Sequence, residues 1–222
     1  MQKISRLNDW LSVPAPSVSQ LQRHWLTRPG ALTQGLRSLG VLSLRVLSEN
    51  VCRAGQDEAT RLALPIGQAL WQREVCMSIL GIDCVVARSV TPLKASNGHW
   101  QAVRQLRNRP LADILYHDRA IARSEFEFTT VRLGMPLYRL APPSFATPLY
   151  PLCPLAFGEP PLPLTQAAPT SPARVFARRS VFVRAHQPLL VAEAFLPAFW
   201  NIAKQSLHSH ALTQYVSTVV SA

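Results

Sequence analysis

Two charged side chains of the sequence fall in rows that strand alternation would otherwise fill with apolar residues. Side chains at positions i and i+2 of a strand point to the same face of a sheet, so a charge in an apolar row stands out. Arg73 shares its row with Trp71, Val75, Met77 and Ile79, and Glu193 shares its row with Leu189, Val191 and Phe195. Removing an isolated charge from water costs several kcal/mol. Each of the two must therefore pair with another charge or with something bound.

Arg88 is a third charged residue of this kind, since it alternates with Val86 and Val90. For one such residue, a structural ion pair or a row that faces solvent is the ordinary explanation. Three such residues, in separate predicted strands, favour a pocket for an anionic ligand, which explains both the arginines and the carboxylate. The pattern leaves open whether Arg88 contacts the ligand or only Glu193.

Other catalytic chemistries lack their characteristic motifs. The six histidines show no HExxH or other metal-ligand spacing, and the sequence has no G-x-S-x-G, P-loop or glycine-rich dinucleotide fingerprint. We therefore expect neither a metal nor a cofactor. The four cysteines make no CxxC and are expected to be reduced packing residues in a reducing compartment. Arg104, Arg107 and Arg109 are most simply a solvated helix face.

Composition limits the class of protein. The 222 residues carry 23 Lys and Arg against 12 Asp and Glu, for a net charge of +11, and 48% of them are hydrophobic. That apolar content supports a compact core, so a disordered chain is excluded. The positive charge is compatible with nucleic acid, an anionic membrane surface or a small anionic ligand. The sequence offers no run suited to a membrane span or a cleaved signal peptide, and no RRM, KH or helix-turn-helix signature.

Periodicity and turn signals outline the elements that would position these residues. Residues 17–39 have helical spacing broken at Pro29 and Gly30, which places Leu32 at the start of a second short helix. Strands are predicted over 41–51, 70–80, 84–91, 125–132, 175–184 and 189–196, with a hairpin turn at 81–83. A helical stretch over 101–116 is interrupted at Pro110, which suits the first turn of a new helix that includes Leu111.

These elements predict an α+β fold, a single domain over residues 1–222 in which an antiparallel sheet and its helices enclose a buried ligand pocket. Ten of the nineteen prolines fall within residues 141–172, which favours an extended, low-complexity insert between strands. A C-terminal extension from about residue 201 is expected to form a short amphipathic helix or a loose tail.

Several segments, in their order and spacing, resemble one known family. They are Asp9-Trp10-Leu11, Ala31-Leu32-Thr33, LWQREV at 70–75, ARSVTP at 87–92, RPLA at 109–112 and QPLLVAEAFLP at 187–197. Together they extend over most of the chain from residue 9 to residue 200. No one of these motifs is specific, whereas the ordered set resembles the chorismate pyruvate-lyases that make 4-hydroxybenzoate for ubiquinone synthesis.

The resemblance implies a cofactor-free lyase that breaks the enolpyruvyl ether of chorismate and releases pyruvate. It assigns the ring carboxylate to Arg73 and to the backbone N–H groups of Leu32 and Leu111, and the ring hydroxyl to Glu193. Strand alternation singles out Arg73 and Glu193 independently, and both leucines are predicted in first turns of helices, where free N–H groups favour an anion. Whether Glu193 is a base or an orienting group stays open, because burial and a nearby arginine shift a carboxylate pKa in opposite directions.

The same fold is similar to the effector-binding domain of a family of bacterial transcription regulators, so a ligand-sensing module without catalysis is the alternative. Those regulators carry a winged-helix domain ahead of the module, and here the ligand-site pattern begins by Leu32, which leaves no room for one. The first hypothesis implies a cytoplasmic enzyme with chorismate as substrate and an aromatic product. It also implies no nucleic-acid partner, no membrane span and a monomeric state.

Overall fold

The computed structural model describes residues 10–141 and 174–207. The helices are α1 (Gln20–Thr27), α2 (Leu32–Arg37), α3 (Gln56–Leu62), α4 (Leu93–Ser96), α5 (Ala112–Leu115) and α6 (197–207), with 3-10 turns at Gln101–Gln105 and Pro136–Arg139. The strands are β1 (Leu42–Arg53), β2 (Ala69–Ile79), β3 (Ile82–Pro92), β4 (Ala122–Arg123), β5 (Glu127–Thr130), β6 (Phe176–Arg184) and β7 (Gln187–Phe195). The proline-rich insert predicted over 141–172 lies outside the described residues, apart from Ala141.

The strands form one antiparallel sheet in the order β1-β2-β3-β7-β6-β4, and β5 also pairs with β6. Two-residue turns close its two hairpins, with Leu80 and Gly81 between β2 and β3 and with Ala185 and His186 between β6 and β7. All four turn residues have positive φ, the conformation whose twist matches the flanking strands. The first turn thus lies at 80–81 and not at the predicted 81–83, while the predicted α+β fold with an antiparallel sheet is confirmed.

Both faces of the sheet are covered. The face that carries Arg73 and Glu193, called the pocket face below, packs under α1, α2 and α6 through a cluster that includes Leu36, Phe195 and Phe199. The opposite face is called the network face below. It packs against α3 and the 3-10 turn at Pro136–Arg139. Because both faces are buried, the central strand β2 is buried along nearly its whole length, and any charge on it needs a partner.

Three elements differ from the sequence-based expectation. The predicted helical stretch over 101–116 is a 3-10 turn followed by the one-turn helix α5, because Arg107 adopts positive φ and Pro110 follows it. Leu111 is consequently the N-cap of α5 and not a first-turn residue, whereas Leu32 begins α2 as predicted. Helix α3 is absent from the prediction, and α6 begins at residue 197, four residues before the expected extension.

Candidate active site

A cavity lies between the pocket face and the segments that carry α2 and α5. It encloses about 680 Å³, part of which is open to solvent. Leu32 and Thr33 line it from α2, Leu111 and Leu115 line it from α5 and its N-cap, and Phe126 lines it from the segment before β5. Most of the lining side chains are apolar, so a ring bound here loses its contact with water and the few polar groups fix its orientation.

Two rows of side chains, aligned across neighbouring strands by the sheet register, form the floor of the cavity. One row is Arg73, Ser89, Val191 and Ser180, and the other is Val75, Ala87, Glu193 and Arg178. Small residues on β3 leave open volume between the longer charged side chains. Arg73 on β2 and Arg178 on β6 are three strand spacings apart, about 14 Å across the sheet. The two guanidinium groups therefore reach the cavity from opposite sides.

Arg73 is almost completely buried, with 2% of its surface exposed. Its Nη1 donates to Glu49 Oε1 at 2.6 Å, and its Nη2 donates to the backbone carbonyl oxygens of Arg107 and Arg109. Burial lowers the pKa of Arg73, and the charge of Glu49 opposes that shift. These bonds also tie the guanidinium to the loop that leads directly into Leu111, so the side chain and that backbone face the same cavity.

Glu49 faces Arg73 because of a β-bulge in β1. Val46 pairs with Val75, but the register shifts between Val46 and Ser48, so that Glu49 pairs with Arg73. A bulge inserts one residue and moves the following side chains to the other face. Simple alternation along β1 would have placed Ser48 on the pocket face, which is why sequence reasoning missed Glu49.

Glu193 is held by an arginine that the sequence analysis did not single out. Arg178 Nε donates to Glu193 Oε2 at 2.7 Å, and the carboxylate side chain is 17% exposed. Arg178 itself is 1% exposed, and its Nη1 donates to the backbone carbonyl oxygens of Trp25, Leu26 and Arg28 at the end of α1. Its guanidinium also lies 4.4 Å from the centre of the Phe126 ring, which is a cation–π contact.

The signal that would have revealed Arg178 is the same alternation rule. In the predicted strand over 175–184, Arg178 shares its row with Phe176, Ser180 and Phe182. The adjacent Arg179 shares its row with the apolar Val175, Ala177 and Val181. Both rows contain one arginine among apolar neighbours, so the rule indicates two buried charges on opposite faces of β6.

A tyrosine joins two of the segments that line the cavity. Tyr116, just after α5, donates its hydroxyl to the backbone carbonyl of Gly30 at 2.8 Å and accepts from Arg123 Nη1 at 3.0 Å. Burial raises the pKa of Tyr116, and Arg123 opposes that shift. The loop before α2 and the segment after α5 are thus linked beside the cavity.

Arg88 does not reach the cavity, and the expectation that its charge is explained by an anionic ligand is wrong. It lies on the network face, because it pairs across the sheet with Glu74 while Ser89 pairs with Arg73. Its Nε donates to Glu58 at 2.8 Å and its Nη1 donates to Glu74 at 2.6 Å. It therefore contacts neither the pocket nor Glu193. It is a structural ion pair, the alternative that the sequence left open.

The polar residues of the described chain were also compared with other kinds of site. Within residues 10–141 and 174–207, no three His, Cys, Asp or Glu side chains are grouped so that they could hold a metal ion. None of the helices in those ranges is long and apolar enough to span a membrane. Cys52, Cys76 and Cys84 are free thiols, and burial with the nearby charge of Asp83 raises the pKa of Cys76 to about 12.

The geometry defines a class of site. An arginine at one end of an apolar cavity binds a carboxylate, and an arginine-held glutamate at the other end accepts a hydrogen bond from a hydroxyl. The cavity is enclosed by an α+β domain with a single antiparallel sheet. This combination suits a small aromatic or pre-aromatic acid that also carries a hydroxyl group.

Comparison with known proteins identifies the family. A family model described as chorismate lyase matches residues 6–142. The chain is 48% identical to a probable chorismate pyruvate-lyase of Bordetella avium (strain 197N), over 86% of this chain and 85% of that protein. It is 35% identical to probable chorismate pyruvate-lyase 1 of Pseudomonas fluorescens (strain Pf0-1), over 86% of this chain and 90% of that protein. The chain therefore belongs to the chorismate lyase family, as the ordered motifs indicate.

Solved structures were compared as well. The chain is similar to the ligand-binding domain of a putative GntR-family transcriptional regulator from Bordetella bronchiseptica, with a TM-score of 0.45 and 13% identity over 71% of this chain and 86% of that chain. It is also similar to PhnF from Mycobacterium smegmatis, with a TM-score of 0.48 and 13% identity over 75% of this chain and 64% of that chain.

Proposed function

We propose that this lyase converts chorismate to 4-hydroxybenzoate and pyruvate in the cavity between Arg73 and Glu193. The observation that carries the proposal is the placement of these two buried charged groups at opposite ends of one apolar pocket. Chorismate presents a ring carboxylate at one end and a hydroxyl on C4 at the other. The pocket offers a donor for the first group and an acceptor for the second.

The ring carboxylate binds at the Arg73 end. A planar guanidinium donates parallel hydrogen bonds to a carboxylate, and the backbone N–H groups of Leu32 and Leu111 add donors on the other side. Leu32 is the first residue of α2 and Leu111 is the N-cap of α5, so neither N–H has an acceptor within its helix. Both helices are short, so we assign the binding to these individual N–H groups and not to a helix dipole.

The reaction needs orientation more than it needs a reagent. The C3–O bond breaks and its electron pair forms the carbonyl of pyruvate, while the hydrogen on C4 moves to the side-chain methylene, which becomes a methyl group. The former C4–H electron pair forms the double bond that completes the aromatic ring. Glu193 binds the hydroxyl on C4 and so fixes the direction of the C4–H bond, and the dry pocket holds the side chain over it. In this scheme Glu193 orients the substrate and no external base is required.

Incubation of the purified protein with chorismate deuterated at C4 tests both the reaction and this scheme. With EDTA present and without nucleotide, we expect 4-hydroxybenzoate and pyruvate in equal amounts. The deuterium should be in the methyl group of the pyruvate, trapped at once as lactate. Solvent hydrogen in that methyl group would instead assign proton transfer to Glu193. A folded preparation that binds 4-hydroxybenzoate without turnover would favour the sensing module.

We also propose that the enzyme works as a cytoplasmic monomer, as one domain and without a nucleic-acid partner. The three free cysteines of the described chain fit a reducing compartment. The net charge of +11 would steer a dianionic substrate toward the protein. Light scattering of the eluting peak in size-exclusion chromatography measures the mass directly, and a dimer mass would overturn the monomer.

A further inference from the structure

Arg178 has donor capacity that the protein itself does not use. Its Nε is bonded to Glu193 and its Nη1 to three backbone carbonyls, but among the residues that the structure describes its Nη2 has no hydrogen-bond partner. The side chain is 1% exposed and lines the cavity. A buried cationic N–H group without an acceptor is costly, so a ligand that supplies an acceptor here is bound favourably.

We propose that Arg178 Nη2 binds the second carboxylate of the substrate, the one on the enolpyruvyl side chain. This assignment rests on the proposed function. Glu193 meets the hydroxyl on C4, and the ether-linked side chain leaves the neighbouring carbon, C3. Because Arg178 is bonded to Glu193, its remaining donor lies on the same side of the ring as that side chain. Arg178 is then the residue that distinguishes a dianion from a ring acid with one carboxylate.

The residues around Arg178 hold it in place for this role. Three carbonyl oxygens at the end of α1 fix one side of the guanidinium, and the Phe126 ring covers its face. A side chain restrained in this way loses little conformational freedom when it binds a ligand. After the C3–O bond breaks, this contact leaves with pyruvate, so 4-hydroxybenzoate keeps only the contacts at Arg73 and Glu193.

A pair of ligands isolates this contact. The first is 4-hydroxybenzoate with a carboxymethyl ether beside the hydroxyl, and the second is its primary amide, which has nearly the same shape without the second charge. Competition binding to the native protein should favour the acid over the amide by roughly tenfold or more. Equal affinities in the native protein would overturn the proposal without any variant.

The Arg178→Lys variant keeps a positive charge beside Glu193 but removes the planar Nη2 donor. We expect the preference for the acid to fall below about threefold. The ratio is taken within one protein, so a general change in the pocket affects both ligands alike. The matched control is Arg179→Lys, which changes the adjacent buried arginine on the network face and should retain the native preference. An undiminished preference in Arg178→Lys would overturn the proposal.

A second variant keeps the test valid if Arg178→Lys fails to fold. Glu193→Gln leaves Arg178 in place, so the preference for the acid should be at least as large as in the native protein, while recognition of the ring hydroxyl weakens. Loss of the preference in this variant would assign it to Glu193 and contradict the role of Arg178. Failure of the native protein to bind 4-hydroxybenzoate or to consume chorismate is a separate result, and it would instead contradict the proposed function.

Discussion

The two faces of one sheet bury arginines in different ways. On the network face, Arg88 bonds to Glu58 and Glu74, and Arg179 bonds to Asp57 and to Glu127 of β5. On the pocket face, Arg73 and Arg178 each bond to a single carboxylate and otherwise to backbone carbonyl oxygens. The network face is thus closed by its own carboxylates, whereas the pocket face has cationic groups with few anionic partners.

The network face is organised as a continuous row across six strands. The sheet register aligns Ser48, Glu74, Arg88, Ala192, Arg179 and Glu127, and α3 adds Asp57 and Glu58 above them. Burial alone would lower the pKa of Arg88, but the hydrogen bonds and charges of Glu58 and Glu74 raise it above its usual value. Every charge in this row has a protein partner, which is the behaviour of a structural network.

The comparison shows what distinguishes a binding arginine from a structural one. Burial does not, because all four side chains are no more than 5% exposed. The partners do. An arginine between two buried carboxylates has its charge fully compensated, while an arginine that faces a cavity and carbonyl dipoles still attracts an anion. Exchange of a residue on each face should therefore affect different properties.

The largest expected effect is on stability and belongs to the network face. Arg88→Met leaves Glu58 and Glu74 buried without their cation, so the free energy of unfolding should fall by about 3–5 kcal/mol. Denaturant titration followed by circular dichroism measures this change. An unchanged midpoint would show that the two glutamates find other partners and that the network contributes little.

The next effect is on substrate binding and belongs to the pocket face. Arg73→Lys replaces a planar fork by a point charge, so the KM for chorismate should rise by about 10- to 100-fold with a smaller change in stability than Arg88→Met. Arg45→Lys is the matched control, because Arg45 is an exposed arginine paired with Asp83. A KM close to the native value in Arg73→Lys would remove the anchor role.

Strand alternation alone predicts part of this arrangement. It identifies Arg73, Arg88 and Glu193 as buried charges, and the structure places all three within the sheet. It cannot assign Arg88 to the network face as a closed pair, because its partner Glu58 comes from α3, a seven-residue helix that the periodicity does not reveal. A bulge hides Glu49 from the same rule, since the extra residue inverts the parity of the strand.

A smaller effect tests the Glu193 end of the pocket. Benzoate has the carboxylate of 4-hydroxybenzoate but leaves the Glu193 carboxylate without the ring hydroxyl, so it should bind more weakly by about 1–3 kcal/mol. Competition against chorismate turnover gives both inhibition constants. In Glu193→Gln the difference should shrink, because a neutral amide accepts a weaker hydrogen bond. Equal inhibition of the native enzyme by both compounds would show that Glu193 does not contact the hydroxyl.

The smallest effect is expected from removal of the proline-rich insert. Ala141 and Val175, which flank it in the described structure, are both buried in the same cluster on the network face. A short Gly-Ser linker can therefore replace residues 142–173 without disturbing the core, and loop length itself costs little free energy. Turnover and the affinity for 4-hydroxybenzoate should stay within about twofold of the native values, because neither flanking residue lines the pocket. A loss of affinity in a stable deletion variant would show that the insert contributes to the pocket face, and it would break the separation between the two faces.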